Sequence, residues 1–333
     1  MIRRILTLVL ICSVFMISLT GCPRGREDGT YLVGILQYFS HAALDASREG
    51  FVNRLAELGF VESEDGNTQF IVYNPQRDAA SGALMAARLA EARPDVILTI
   101  ATGASQIMSR ETATIPIVIT AVTSPEGADL VESNYRPGRN VTGVSDMTPV
   151  ALQIELITRL LPDARVIGLV YNAGEINSVI QADMAREAIR AKAGDGFSYI
   201  TGNVTGTADI ADVVQSIVGQ VDVIYVPTCN TVAGAYPIVI TIAEEAGIAV
   251  ITGEAAGVRA GALATEGIDY YKLGRQAADM AAQILRGEGV PATMPIQWQQ
   301  EPGTLFLNTA TADRLGITIP EDMLEAAGEI VSD

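Results

Sequence analysis

The sequence predicts an α/β protein built as two doubly wound, parallel-sheet lobes. Apolar runs of strand length alternate with amphipathic helical spacing along most of the chain. Strands that alternate with helices form parallel sheets covered on both faces. The alternation comes as two successive series that part near Pro149, and 333 residues are enough to fill two cores.

In the first series, the spacing predicts a buried strand over 31–36 (YLVGIL) and a helix over 43–58. That helix places Leu44, Phe51, Leu55 and Leu58 at helical intervals, and Gly59 is its stop. Strands follow at 69–73, 96–100, 116–119 and 141–144, with helices at 79–92 and after ATGASQ. In the second series, helices at 150–161, 176–192, 208–218 and 231–246 alternate with strands at 166–171, 197–200, 221–226 and 249–252. A short strand at 261–265 and a helix at 273–285 complete it. Only the stretch 295–320 breaks the pattern, and the acidic tail from Glu321 reads as a short helix with a frayed end.

The composition removes several function classes. With 39 acidic against 22 basic residues, the net charge of −17 offers no basic excess to displace counterions from nucleic acid phosphates or to hold a membrane electrostatically. An apolar fraction of 49% is too high for a disordered chain. Three cysteines and one histidine exclude a disulfide framework and a site built on two imidazoles.

The N-terminus carries its own signal. Arg3 and Arg4 precede an apolar run from Ile5 to Leu19, too short and wrongly flanked for a membrane span. The run ends in Leu19-Thr20-Gly21-Cys22, which resembles the bacterial lipobox. That resemblance implies a signal peptide over 1–21, lipidation of Cys22 and a polar tether over 22–30; an ordinary secretory signal is the bland alternative. Cys12 is removed with the signal, which leaves Cys229 as a free thiol. The expectation is a protein exported across the cytoplasmic membrane and anchored by lipid, with its body in water.

Chemistry-bearing motifs are missing. The chain has no G-x-G-x-x-G after its first strand, no Walker A sequence, no H-E-x-x-H, no C-x-x-C and no G-x-S-x-G elbow. The residues call for no cofactor and no metal, and they do not support an enzyme.

What remains is a set of loops at predicted strand ends, where open α/β sheets bind ligands. Gln37-Tyr38-Phe39-Ser40-His41 brings an amide, two aromatics and the lone histidine together. Thr102-Gly103-Ala104-Ser105 opens a helix, and its free N–H groups and hydroxyls suit a carboxylate as well as they suit plain capping. Ala121 and Thr123 lie in TAVTSP after the neighbouring strand. In the second series the candidates are Asn177 and Ser178, Cys229 and Asn230, and Glu254, a charged group in a small apolar loop that suits an ammonium. Either Tyr38 or Phe39 is expected to face the ligand's side chain.

Seven segments carry a resemblance in their order along the chain: VGILQYFSHAALDASREGF, TAVTSPEGADLV, NVTGVSDMTP, LLPDARVIGLVYN, NSVIQ, DVIYVPTCNTVAG and AGALATEGIDYYKLGRQAADMAAQIL. Together they resemble the substrate-binding lipoproteins of ABC importers of the tryptophan/tyrosine type. The resemblance spans about 31 to 320. It implies the type I periplasmic binding protein fold, with lobes joined by a multi-strand hinge. Lobe 1 would take 31–147 plus about 268–290, and lobe 2 would take 148–267 plus about 291–325. It also implies a monomer that closes on a small-molecule ligand and delivers it to an ABC permease with a cytoplasmic ATPase. The implied ligand is an amino acid, aromatic ones included. Cys229 stands where the family usually has Asp, and TGEAAG is smaller than the family's Ser-Asp-Glu-Gly stretch. Those departures keep two alternatives open: a nucleoside or other small solute in the same cleft, and a ligand sensor that reports to a membrane receptor.

Overall fold

A computed structural model describes residues 29–299 and 303–332. The signal peptide, Cys22 and most of the tether lie outside the described residues.

The chain opens with β1 (Tyr31–Gln37), α1 (Ala42–Glu57), β2 (Thr68–Tyr73), α2 (Ala79–Glu91), β3 (Val96–Ile100), α3 (Thr102–Glu111), β4 (Ile117–Val122) and β5 (Val141–Ser145). Strands β3, β4 and β5 are buried along their full lengths, as continuous apolar runs covered on both faces should be. The second series is α4 (Val150–Leu160), β6 (Val166–Asn172), α5 (Ile176–Ala191), β7 (Ser198–Val204), α6 (Ile210–Val218) and β8 (Val223–Val226). It continues through α7 (Asn230–Ala233), α8 (Tyr236–Glu245), β9 (Ala249–Thr252), α9 (Ala255–Arg259) and β10 (Ala264–Gly267). Last come α10 (Tyr270–Leu285), β11 (Gln297–Trp298), β12 (Thr304–Asn308), α11 (Thr309–Leu315), α12 (Glu321–Ala326) and β13 (Glu329–Val331).

These strands form two sheets, in the orders β11-β5-β4-β3-β1-β2 and β13-β12-β10-β9-β8-β6-β7. The first is parallel throughout, and the second is parallel except where β10 meets β12. In each sheet the strand order reverses once among the central strands, at β1/β3 and at β6/β8. Ligand crevices form at such switch points, beyond the carboxyl ends of the strands. The loops after β1, β3, β6 and β8 are therefore the ones the topology brings together. The chain passes between the lobes after β5, after β10 and between β11 and β12. Among the described residues no helix is long and apolar enough to cross a membrane.

The structure corrects four readings of the sequence. Residues 291–298 belong to the first lobe: β11 pairs with β5 through Gln297 and Trp298, and the Thr142 hydroxyl donates to the Met294 carbonyl at 2.7 Å. The reason is that β5 would otherwise end the sheet with an unpaired edge. The helix expected over 231–246 is two helices, because Pro237 at the start of α8 cannot donate its N–H and its ring would clash one turn back. TGEAAG, expected as a loop, opens a short helix, α9. The acidic tail forms α12 and then a strand, β13, which pairs with β12 in parallel.

The first lobe is held to its last long helix by a close crossing. A Cβ on Gly274 of α10 would come within 1.9 Å of the Ser47 carbonyl oxygen of α1, and one on Gly50 within 2.1 Å of the Tyr271 carbonyl oxygen. The two backbones touch where both side chains are absent. Urea unfolding of the full chain should show Gly274→Ala and Gly50→Ala each losing roughly 1–3 kcal/mol from overpacking. Gly219→Ala, whose added Cβ meets nothing within 4 Å, should stay within about 0.5 kcal/mol of the parent. Equal losses at all three positions would contradict the close crossing.

Candidate ligand-binding site

The two lobes are shut on one another. The Thr123 and Thr228 hydroxyls meet across the cleft at 3.3 Å, and His41 Nε2 lies 3.4 Å from Asn230 Oδ1. Phe39 of the first lobe rests on Gly234 of the second, where a Cβ would come within 2.5 Å of the ring. Among the described residues, cavities of about 10 Å³ and 50 Å³ lie between the lobes.

The smaller cavity holds two carboxyls. Asp146 follows β5 at the first passage between lobes, and Glu254 follows β9 in the second lobe. Both are buried. Asp146 Oδ2 accepts from the Tyr270 hydroxyl at 2.7 Å, while its Oδ1 has no partner. Glu254 Oε1 accepts from the Tyr236 hydroxyl at 3.1 Å. Among the described residues no lysine or arginine lines this cavity. Burial pushes both carboxyls up, Asp146 to about 6 and Glu254 to about 7. Gly253 lets the Glu254 loop approach, because a Cβ there would come within 2.7 Å of the Thr228 amide nitrogen.

The larger cavity lies at the start of α3. Ala101 turns the chain there with φ 79°, and Ala121 does the same at the end of β4 with φ 55°. Positive φ at a non-glycine residue is strained, and such strain gathers at ligand sites. The Thr102 hydroxyl is buried without a partner beside the first N–H groups of α3. The Tyr38 ring covers Gly103, where a Cβ would sit 2.5 Å from it. Glu175 closes the far wall. Its carboxylate accepts from the Asn230 N–H and Nδ2–H at 2.9 and 3.0 Å, and from the Thr231 N–H and hydroxyl at 2.9 and 2.5 Å.

Nine of the twelve residues singled out in the sequence come together in the cleft. Tyr38, Thr102 and Gly103 line the larger cavity, and Ala121, Thr123, Cys229 and Glu254 the smaller. Asn177 and Asn230 border both. The other three bond neighbouring backbone and side-chain groups. Gln37 turns its amide to the Phe39 carbonyl and to Asp45 at 2.8 and 2.7 Å. Ser105 bonds Ala101 O and Thr99, and Ser178 donates to the carbonyls of Asn172 and Glu175. Phe39 is no side-chain wall either: it lies between Gly234 and the Arg77 guanidinium, 4.1 Å from its ring centre. Burial pushes the Cys229 thiol up to about 12, so it is a neutral group that accepts from the Asn172 N–H. Sequence reasoning missed Asp146, Tyr270 and Glu175. A signal existed for Asp146, an acid that closely follows a predicted strand, which is the same logic that singled out Glu254.

The family model for ABC transporter substrate-binding proteins matches residues 32–331. A tyrosine-binding protein of Clostridioides difficile strain R20291 is 32% identical over 338 residues, covering 97% of this chain and 92% of its own length. The crystal structure of an ABC domain in complex with L-Trp from Streptococcus pneumoniae is 33% identical, covers 91% of this chain and 100% of that one, and superposes with a TM-score of 0.86. A ligand-free, open substrate-binding protein with adhesive properties from Clostridium difficile is 36% identical with similar coverage, 91% and 100%, but its TM-score is 0.69.

The buried carboxyls give a pH signature. In the unfolded chain they lose their protons near pH 4, but in the folded state they keep them to about pH 6 and 7. The native state therefore binds more protons between those limits, and this pair makes stability fall as pH rises from about 4 to 7. Without ligand, the melting temperature should rise on going from pH 7.5 to 5.5. The double variant Asp146→Asn, Glu254→Gln should flatten that slope, and an undiminished slope would remove the pair as its source.

Proposed function

The chain belongs to the family of ABC transporter substrate-binding proteins, and from that premise we propose that it captures a free α-amino acid outside the cytoplasmic membrane for uptake. The aromatic amino acids head the candidates, since relatives near one-third identity include a tyrosine-binding protein and an L-Trp complex. The observation that carries the reading is the pair Asp146 and Glu254, buried together in a cavity that no lysine or arginine lines. Two buried carboxylates without a counter-charge are costly. A ligand ammonium between them supplies that charge and takes up the free Oδ1 of Asp146. The ligand carboxylate goes to the start of α3, where N–H groups and the Thr102 hydroxyl are unclaimed. Thr123, Asn177 and Asn230 border the path between the two ends.

This arrangement makes closure depend on the ligand. Each lobe brings part of the site, so only the shut cleft satisfies both ends of the molecule. The shut form then presents one surface to a membrane permease whose ATPase works inside the cell. A lipid on Cys22 keeps the binder at the membrane, and the polar tether leaves the lobes free to turn.

Calorimetric titration of the full chain with L-Trp, L-Tyr and L-Phe tests this reading. At least one should bind, and Asp146→Asn and Glu254→Gln should each weaken it by well over about tenfold. Because the ammonium needs ionised carboxylates, affinity should also fall as pH drops from about 7 to 5. Unchanged affinity in both variants would refute the ammonium site. For the anchor, palmitate labelling and membrane fractionation should show lipid on the parent and none on Cys22→Ser.

A further inference from the structure

We propose that His41 selects the ligand's side chain: its bare Nδ1 accepts a hydrogen bond from an O–H or N–H carried by the bound amino acid. This rests on the amino-acid reading above and adds the class of side chain.

The argument runs through three residues. Glu175 is a carboxylate that takes both the backbone N–H and the Nδ2–H of Asn230. It is itself held by the N–H and hydroxyl of Thr231, so its orientation is fixed. With its Nδ2 committed to Glu175, the Asn230 amide must turn its oxygen the other way. That oxygen faces His41 Nε2 at 3.4 Å. An amide oxygen only accepts, so Nε2 is the nitrogen that carries the proton. A neutral imidazole has one N–H, and Nδ1 is left with a lone pair. Burial lowers the proton affinity of the ring below its ordinary value and keeps this neutral form.

The position of that lone pair matters. His41 Nδ1 is buried and has no partner, although its residue begins α1, where a side-chain cap would be the ordinary use. The ring lines the same cavity as Asp146 and Glu254. A buried acceptor without a donor is costly, and a ligand that brings a donor removes the cost. A ligand of equal shape without the donor leaves it in place, which is the strongest form of discrimination a binding site has. The cleft is therefore built for tyrosine over phenylalanine, threonine over valine, or tryptophan over its indole N-methyl analogue.

Two measurements on the full, untagged chain test this. His41 is the one histidine in the sequence, so nitrogen NMR with isotope-labelled histidine reads a single ring. The Nε2–H tautomer is expected in the free protein, and the Nδ1–H tautomer or an imidazolium at neutral pH would overturn the proposal. Titration with the three pairs should then show the donor-bearing member of a binding pair favoured by about 100-fold or more. In His41→Phe, and in His41→Ala should that variant fail to fold, the ratio within each binding pair should fall to within about threefold. Equal binding within each pair, or a preference that survives both variants, would refute the role of His41. If no member of any pair binds, the amino-acid reading fails first, while the tautomer still reports on the Glu175–Asn230–His41 chain.

Discussion

The cost of burying two carboxyls without a cation governs the cleft. Asp146 comes from the first passage between lobes and Glu254 from the second lobe, and the shut lobes bring both to one cavity. Tyr270 and Tyr236 each donate one hydroxyl to them. A neutral hydroxyl offsets part of the lost hydration but supplies no charge. Burial therefore raises the proton affinity of both carboxyls. A cation brought between the two carboxyls would supply what the hydroxyls do not.

The scaffold directs this through topology more than through any single contact. Both sheets reverse their strand order at the centre, and the loops at those reversals face each other across the cleft. Close backbone approaches then fix the walls. Gly103 seats Tyr38, Gly234 seats Phe39, and Gly253 brings the Glu254 loop against Thr228. At each of these points a Cβ would overlap atoms that the wall needs. Glu175 completes the far side by taking four donors from α7, a helix of four residues too short to hold itself.

This balance of legible and hidden features has a physical pattern. The strands were readable because buried parallel strands are continuous apolar runs, and the helices because their apolar residues recur at helical spacing. The loops of the cleft followed from the strand ends. Side-chain direction did not: Gln37, Ser105 and Ser178 are polar residues beside the site, yet each makes hydrogen bonds to nearby backbone, and Gln37 and Ser105 also bond the neighbouring side chains of Asp45 and Thr99. Short polar side chains compete for local backbone groups as readily as for a ligand, and sequence alone does not say which wins. The two-residue strand β11 was beyond reach, since its pairing depends on an edge more than 150 positions earlier in the chain. The break before α8 was within reach, because Pro237 announces it. Asp146 was within reach too, but its loop begins a passage between lobes, where a solvated acid is the ordinary expectation.

The same inventory explains how a small molecule could control so large a movement. Among the described residues the contacts across the cleft include the hydroxyl pair Thr123–Thr228, the contact of His41 with Asn230, the packing of Phe39 on Gly234, and Ile176 and Ala256 against apolar clusters of the first lobe. A hydrogen bond of this kind contributes about 1 kcal/mol net. Opening gives these up, but it returns two carboxyls and a buried imidazole nitrogen to water, which is worth at least as much per group. In the proposed reading, a ligand that brings an ammonium to the carboxyls and a donor to His41 reverses the sign of both opposing contributions at once. Closure is then driven less by new contacts between the lobes than by removal of the penalties that held them apart.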